Sequence, residues 1–471
     1  MDGLSFVTVA PPVESDPARA DIACFIGFVA RRSGDARDVP ETIDAWDIFD
    51  ALFAWDARPI TVAGGRCDTA LGAAVRSFFA QGGRKCYVVR LGEPWPALAT
   101  ADQRGDVLSA ILPDLPPPSA VDRSSWHGIG NLFGLSDVSF LCLPDLPDFF
   151  SAAPVGQVKI APPLTPEIFV ECATRADAPA ERTLRGIPAP VCNDAGFVAW
   201  ADFVKRVGTF LARSAREVQF IAAIPRPAND TLKAQWDWPA KFGTAFVQLA
   251  YPWLRTRTSG VLPGGVEAPD GVLAGVLANG ALTRGSWRSA IRQPVAGITA
   301  VEPVLDRAAL ARALTPPNRR EPLTLRDRVT VIGPAPDGFR LLSDVTTDAD
   351  EAYRPANVNR LINAIIRAAR ITGEPAVFQN NGPALWTRLR ENIADLLAGL
   401  WADGALDGAS ADEAFDVRCD RSTMTQADLD AGRVICRVSF TAASPIVHIT
   451  VVFAMDEGGQ VSLAAPQSRA A

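Results

Sequence analysis

The part of the chain that decides the fold is residues 353–453. It contains RPANVNRLINAII at 354–366, EPAVFQNNGPALWTRLRENIADLLAGLWADGALDG at 374–408 and AGRVICRVSFTAASPIVHITVVF at 431–453. The order of these segments predicts a helix, a short strand, a turn, a second helix, a glycine-rich turn and then three strands. No residue in it belongs to a catalytic pattern, and its order of elements is typical of a unit that assembles with copies of itself.

The apolar residues of this unit follow helical and strand periods. In the first helix they recur every three or four positions, and the second helix starts after the turn Asn380-Asn381-Gly382, with Pro383 in its first turn. Two later segments alternate apolar with polar residues, which predicts strands with one buried face. The residues expected to be buried are Val358, Leu361, Ile362, Ile365 and Ile366 in the first helix, Leu385, Trp386, Leu389, Ile393, Leu396, Leu397 and Leu400 in the second, and Val434, Cys436, Val438, Phe440, Val447, Ile449, Val451 and Phe453 in the strands.

Upstream, short apolar runs alternate with helical patterns, which predicts an α/β domain with a largely parallel sheet. The predicted strands are 22–29, 85–91, 138–143 and 218–224, the predicted helices are 43–53, 69–80 and 197–212, and 245–253 is a further apolar run. We expect 92–136 to be a surface excursion, 144–190 to be loop-like and 259–274 to be a stretch rich in glycine and proline. The main domain boundary is expected near residue 345, and residues 1–20 are expected to form a short extended arm.

Composition limits the classes of function. The chain has 471 residues, of which 48% are apolar and 21% charged, which fits a folded protein of two or three domains. Its net charge of -7 argues against a surface for nucleic acid or anionic membranes. The first residues show neither a basic region nor a long apolar segment, so we expect no signal peptide, and no window reaches the length of a membrane span.

Few residues are candidates for catalysis or for binding a nucleotide or metal. The two histidines, His127 and His448, are expected to be structural. The segment GIGNLFG at 128–134 only loosely resembles a dinucleotide fingerprint, because it precedes a strand instead of following one. Asp403, Asp407, Asp412 and Glu413 lack the spacing of a calcium loop. The eight cysteines are scattered, without a CxxC pair, and are expected to be free core thiols. We therefore expect no catalytic residue, no metal and no cofactor.

The quoted C-terminal segments resemble the conserved domain of contractile tail sheath proteins, which occur in phage tails, R-type pyocins and extracellular injection systems. Upstream blocks are similar to the same family, among them IACFIGFVARR at 22–32, ALGAAVRSFFAQGGRKCYVVRL at 70–91 and AFVQLAYPWLR at 245–255. The segment 338–344 (GFRLLSD) departs from the family pattern, and the arginine pair common near the first inner helix is reduced to Asn359-Arg360. These departures suggest a minor or specialised sheath paralogue near the baseplate or tail end.

The resemblance implies an α+β inner domain with an inserted α/β outer domain and strand-exchanging arms. On this division residues 1–20 are the N-terminal arm, 21–345 the outer part, 346–455 the inner domain and 456–471 the C-terminal arm. Neighbouring subunits would add strands to the inner sheet. The residues implied in this strand addition are Phe6, Val7, Thr8, Val9, Val447, Ile449, Val451, Phe453 and Val461.

As a function, the resemblance implies hexameric rings stacked around an inner tube, which contract and drive the tube through a target membrane. The implied partners are copies of the chain, other sheath paralogues, the inner tube protein, and baseplate and tail-terminator or cap proteins. Assembly is expected in the bacterial cytoplasm, with release by lysis. Two alternatives stay open: a non-contractile collar or baseplate adaptor with the same fold, and an α/β enzyme that binds a nucleotide near 64–65 or 128–134.

Overall fold

The computed structural model describes residues 19–61, 64–113, 118–152, 187–228, 243–310, 324–373, 379–443, 448–455 and 461–464. The strands are β1 (Ala23–Phe28), β2 (Ala30–Arg31), β3 (Pro40–Ile43), β4 (Phe53–Ala54), β5 (Arg58–Thr61), β6 (Gly64–Cys67), β7 (Cys86–Gly92), β8 (Phe140–Cys142), β9 (Gln219–Ala223), β10 (Val247–Tyr251), β11 (Trp253–Thr256), β12 (Pro294–Val295), β13 (Ile298–Glu302), β14 (Thr330–Ala335), β15 (Gly338–Leu341), β16 (Phe415–Arg418), β17 (Val434–Thr441), β18 (His448–Met455) and β19 (Val461–Ala464). The helices are α1 (Trp46–Leu52), α2 (Ala70–Ala80), α3 (Ala101–Arg104), α4 (Leu108–Ile111), α5 (Leu146–Phe149), α6 (Asp194–Ser214), α7 (Asp270–Arg284), α8 (Arg307–Leu310), α9 (Ala356–Gly373), α10 (Pro383–Ala402), α11 (Ala411–Ala414) and α12 (Gln426–Asp430).

The larger of the two main sheets has nine strands, in the order β12-β15-β14-β10-β9-β8-β1-β7-β3. From β14 to β7 neighbouring strands run parallel, and the strands added at the two edges are antiparallel. Parallel strands need cover on both faces. Here α6 packs on one face, and α1, α2 and α7 pack on the other. The prediction of an α/β fold with a largely parallel sheet is confirmed.

Two local predictions in this part are wrong, and one helix was not predicted. The helix expected at 43–53 starts only at Trp46, because residues 40–43 pair with β7 as an edge strand. Residues 92–136 are not a surface excursion, since Trp95, Ile111 and Ile129 are buried in the core beneath the sheet. Helix α7 starts at Asp270, inside the stretch at 259–274 that is rich in glycine and proline.

Helix α7 packs against α2 at a distance that only glycine permits. A Cβ atom on Gly271 would lie 2.4 Å from the carbonyl oxygen of Ala74, and one on Gly275 would lie 2.5 Å from that of Phe78. Glycine disfavours an isolated helix. The same residues that weakened the helical pattern in the sequence therefore allow this helix to pack closely.

The smaller main sheet is antiparallel, in the order β16-β17-β18-β19. Helices α9 and α10 pack on β16 and β17 around a separate core. The predicted apolar residues of both helices and of β17 are buried, apart from Leu396, which is half-buried. The short strand expected before the second helix lies outside the described residues. A fourth strand, β19, follows the three predicted ones. Among the described residues, no helix is both long and apolar enough to cross a membrane.

Candidate assembly site

The residues expected to exchange strands lie partly on the C-terminal sheet. Ile449, Val451 and Phe453 belong to β18, and Val461 is the first residue of β19. Phe6, Val7, Thr8, Val9 and Val447 lie outside the described residues. Strand β18 is paired on both sides, with β17 and with β19, so that Phe453 lies opposite Leu463 and Met455 lies opposite Val461. The structure therefore brings β18 and β19 of one chain together.

Strand β19 differs from the other edge strands of the two main sheets. Edge strand β3 starts with Pro40 and β12 with Pro294, and proline cannot donate a backbone hydrogen bond. On the opposite edge of the smaller sheet, β16 exposes Asp416 and Arg418, and charges discourage pairing with another chain. The sequence of β19, VSLA, contains neither proline nor charge. Among these described edges, β19 is the one best suited to accept a further strand.

Helix α9 joins the two main sheets, and both of its sides are buried. Its apolar side belongs to the core of the smaller sheet. Its polar side carries Asn357, Asn359, Arg360, Asn363 and Arg367, and all five are buried. We call this polar side and its partners the α9 junction, because the partners belong to the nine-stranded sheet and the loops around it.

An ion pair between Arg360 and Asp344 lies at one end of the α9 junction. The two carboxylate oxygens of Asp344 accept hydrogen bonds of 2.9 and 2.7 Å from the Arg360 guanidinium. They also accept from the Ala290 backbone N–H at 2.7 Å and from the Gln248 amide at 3.1 Å. Burial alone would raise the pKa of Asp344, but the Arg360 charge and these hydrogen bonds outweigh it and hold the pKa below its usual value. The pair is therefore charged and well satisfied.

Arg367 ties three separate segments to the other end of the α9 junction. It donates to the backbone carbonyls of Arg19, Val138 and Glu217 at 2.6, 2.8 and 3.2 Å. Burial lowers the pKa of Arg367 to about 10, so the guanidinium stays charged at neutral pH. One turn later, Arg370 pairs with the Glu217 carboxylate. The first described residue is thereby fixed to α9, at the point where residues 1–18 leave.

A cleft of about 1010 Å³ opens between the end of α7 and the end of α10. Four arginines line it, together with the acidic Asp21 and Asp403. They are Arg19, Arg84, Arg284 and Arg288. The described residues of its lining include no histidine or cysteine.

The loop at 128–134, which was considered for nucleotide binding, is held in place by hydrogen bonds to Asp38. Gly128–Gly134 forms a 3-10 helix in front of β8, whereas a phosphate loop follows a strand. The Asp38 carboxylate holds this loop by accepting from the Gly128 N–H at 2.9 Å and the Asn131 amide at 2.7 Å, and it lies 2.7 Å from His127 Nδ1. His127 therefore serves as one contact of a loop anchor.

The acidic residues after α10 also lack a ligand geometry. Glu413 accepts from the Ala409 backbone N–H at 3.1 Å, next to the start of α11. Across the described part of the chain, no group of three or more histidine, cysteine or acidic side chains is arranged to hold a metal ion.

Buried carboxyl groups near the ends of β1 and β8 were missed by the sequence patterns. Burial raises the pKa of Asp145 to about 7, although the Phe28 N–H donates to it at 2.8 Å. Burial also raises the pKa values of Asp68, Glu267 and Asp270 to about 7. The Ser77 hydroxyl donates to Glu267 at 2.8 Å, and the space beside Glu267 and Asp270 is only about 30 Å³, which is too small for a substrate.

Comparison with known proteins identifies the fold. Residues 348–456 match the family model of the phage tail sheath C-terminal domain. The chain is similar to a structure of the anti-feeding prophage baseplate in the contracted state, with 16% identity, a TM-score of 0.63 and coverage of 99% of this chain and 98% of that chain. The chain has the fold of a tail sheath protein.

Two further structures of sheath assemblies share this fold. The helical sheath of the anti-feeding prophage, in its contracted state, is 19% identical with a TM-score of 0.56, over 95% of this chain and 98% of that chain. The contracted sheath complex of PVC, an extracellular contractile injection system, is 18% identical with a TM-score of 0.55, over 95% and 97% of the two chains. A comparison with curated proteins gives no match. The resemblance expected from the sequence is confirmed, and the proteins with this sheath fold are structural components rather than enzymes.

The sequence patterns did not predict that the polar side of α9 is buried. Asn and Arg on a helix usually face solvent, and their partners here are carbonyl groups far away in the chain. One signal was available, because α9 contains no acidic residue and no lysine in its 18 positions. A solvated helix face usually mixes both signs of charge.

Proposed function

We propose that the chain is a sheath subunit of a contractile injection system. The observation that carries this proposal is the similarity of fold over 95% of the chain to contracted sheath assemblies. The match of residues 348–456 to the sheath C-terminal domain supports it independently. We divide the chain into arms at 1–20 and 456–471, an outer part at 21–345 and an inner domain at 346–455.

In this proposal the subunits form hexameric rings that stack around an inner tube, contract, and drive the tube through a target membrane. The partners are copies of the chain, sheath paralogues, the inner tube protein, and baseplate and terminator or cap proteins. The particle assembles in the bacterial cytoplasm and is released by lysis. No step of this process breaks a covalent bond.

Strand addition joins the subunits. In the single chain β19 pairs with β18 of the same sheet. In a polymer, β19 of a neighbour would take the same register, and the same backbone hydrogen bonds would form between chains. Such an exchange of an identical element changes few contacts and needs only a different path for the connection at 456–460. Residues Phe6–Val9 would add a further strand, starting from Arg19, which is held at α9.

Each subunit would move as a rigid body during contraction. Separating α9 from the nine-stranded sheet would break the buried Arg360–Asp344 ion pair and the hydrogen bonds of Arg367, so we expect α9 and the sheet to stay together. Large rearrangements generally hinge at a few residues outside packed elements, so the hinges lie in the arms.

The test is to produce the chain alone and together with the inner tube protein of the same particle, and to examine both samples by electron microscopy. The proposal predicts tubes or stacked rings with six subunits per ring. A chain that stays monomeric in the presence of the tube and baseplate proteins would contradict it.

A second candidate is a non-contractile ring next to the baseplate. The similarity to the anti-feeding prophage baseplate, with a TM-score of 0.63, favours it. A ring adaptor needs lateral contacts within one ring but no strands shared between rings. It would therefore form isolated rings that do not stack.

A further inference from the structure

Cys419 and Cys436 occupy opposite positions in the C-terminal sheet. Strands β16 and β17 are antiparallel, with Arg418 opposite Arg437, so the next pair along the ladder is Cys419 and Cys436. Their exposed fractions are 4% and 6%, and both belong to the core of the smaller main sheet. Both cysteines are reduced in this structure.

This position in the ladder meets the Cα-distance requirement of a disulfide. Opposite residues of an antiparallel pair have Cα atoms about 4.5 Å apart in a non-hydrogen-bonded pair and about 5.5 Å apart in a hydrogen-bonded pair. Disulfides span Cα distances of about 4.4–6.8 Å. Either kind of pair therefore falls within the Cα range of a disulfide.

The cysteines on the nine-stranded sheet provide an internal comparison. Cys24 lies in the core on one face of that sheet, whereas Cys86 and Cys142 lie in the core on the other face. Cys86 on β7 and Cys142 on β8 are separated by β1. Since neighbouring strands are about 4.8 Å apart, these two Cα atoms lie beyond the limit of about 7 Å for a disulfide.

We propose that Cys419 and Cys436 form a reversible cross-strand disulfide when the protein meets an oxidised low-molecular-weight disulfide. The thiolate of one cysteine attacks the small disulfide, which forms a mixed disulfide and releases one small thiol. The second cysteine then attacks the mixed disulfide, forms the protein disulfide and releases the second small thiol. The protein loses two electrons and two protons, and the small disulfide gains them.

Cys419 is the cysteine that attacks first. Cys419 follows β16, an edge strand of the sheet, where local opening costs less than in the interior. The resulting bond fastens edge strand β16 to β17 and closes the loop 419–436. This inference does not depend on the proposed function.

Peptide mapping of the wild-type full-length chain tests the proposal directly. The fully reduced protein is incubated with oxidised glutathione, unfolded, alkylated and digested, and disulfide-linked peptides are identified by mass spectrometry. We expect a link between Cys419 and Cys436 that dithiothreitol reverses, with Cys24, Cys86 and Cys142 recovered as alkylated thiols. Full recovery of alkylated Cys419 and Cys436, or linkage of either to another cysteine, would overturn the proposal.

Thermal unfolding provides a second measurement. Closing a loop of this length should raise the Tm of the C-terminal unit by about 5 °C or more on oxidation. The double variant C419S/C436S should unfold at the same temperature before and after glutathione treatment. An equal rise of Tm in the double variant would contradict the assignment, and if this variant does not fold, the wild-type peptide map decides alone.

Discussion

At the scale of single residues, the α9 junction depends on a few buried polar groups. Arg360 and Arg367 neutralise one carboxylate and satisfy backbone carbonyls from three segments. The apolar side of the same helix could be predicted from its period. The polar side could not, because its partners are distant in the chain and an isolated helix would expose such residues to water.

Replacing Asp344 with asparagine should strongly destabilise the protein. The D344N variant leaves the buried Arg360 without a counter-charge, so we expect a loss of about 3 kcal/mol or more and a Tm lower by about 6 °C or more. The matched control is D337N, which removes the partner of Arg340 from an exposed pair and should leave Tm unchanged. Equal Tm values for both variants, measured by calorimetry, would show that the α9 junction does not depend on this pair.

The buried carboxyl groups predict a stability that falls as pH rises. Asp145, Glu267 and Asp270 have pKa values of about 7 in the folded chain, and about 4 when unfolded. Between these values the folded state binds more protons, so their favourable contribution is complete below about pH 4 and is lost as pH rises to about 7. Asp344 has a lowered pKa, so its contribution to stability increases with pH. This increase occurs only at pH values below the ordinary pKa range of aspartate.

The variant D270N isolates this effect. Asparagine stays neutral at all these pH values, so the variant should gain Tm relative to wild type as pH increases from 5 to 8, by about 3 °C or more. The measurement is a series of thermal melts of both proteins across this range. Parallel curves for the two proteins would mean that Asp270 does not titrate near neutral pH.

At the scale of elements, the strands and helices with a clear period were predictable and the irregular ones were not. The alternation of β17 and the period of α10 follow from burial of one face. Helix α7 escaped prediction because Gly271 and Gly275 lower helix propensity while they allow contact with α2. Edge strand β3 escaped because Pro40 suggests a loop, although proline is tolerated at the start of an edge strand.

Removal of β19 should abolish assembly. A chain lacking residues 461–471 cannot donate β19 to a neighbouring subunit, and its β18 has no pairing strand on one side. We expect it to sediment as single subunits under conditions where the full chain polymerises. The control lacks only 465–471 and keeps β19, so it should still assemble. Normal tubes from the shorter chain would exclude β19 as the connecting strand.

The N-terminal segment is tested in the same way. Deletion of residues 1–10 removes Phe6–Val9 and should prevent polymerisation into tubes, whereas deletion of 1–5 keeps these residues and should not. Negative-stain electron microscopy distinguishes the outcomes. Isolated rings from the longer deletion would favour the ring adaptor, and unaltered tubes would show that the segment is not needed.

At the scale of the whole molecule, the α/β fold and the similarity to sheath proteins were predictable from ordered blocks along the chain. The packing of the two main sheets through α9 was not, since it depends on contacts between residues far apart in the chain, such as Arg367 with Arg19. Assembly depends on the edge of β18, and in the single chain this edge is already covered by the chain's own β19.

A nucleotide-binding function predicts that nucleotides raise the Tm of the chain, and we expect no such increase. Melting curves of the full chain with millimolar ATP or NAD should match those without ligand within about 1 °C, because no described loop forms a phosphate cradle. A bound ligand at 100 times its Kd would stabilise the protein by about 2.7 kcal/mol. A Tm increase of several degrees would support the enzyme alternative.

The most direct test is a cryo-electron microscopy structure of the polymer formed by this chain with its inner tube protein. It should show six subunits per ring, with each C-terminal sheet extended by strands from the arms of adjacent subunits. A polymer in which every β19 stays on its own β18, with no strand shared between chains, would contradict the account.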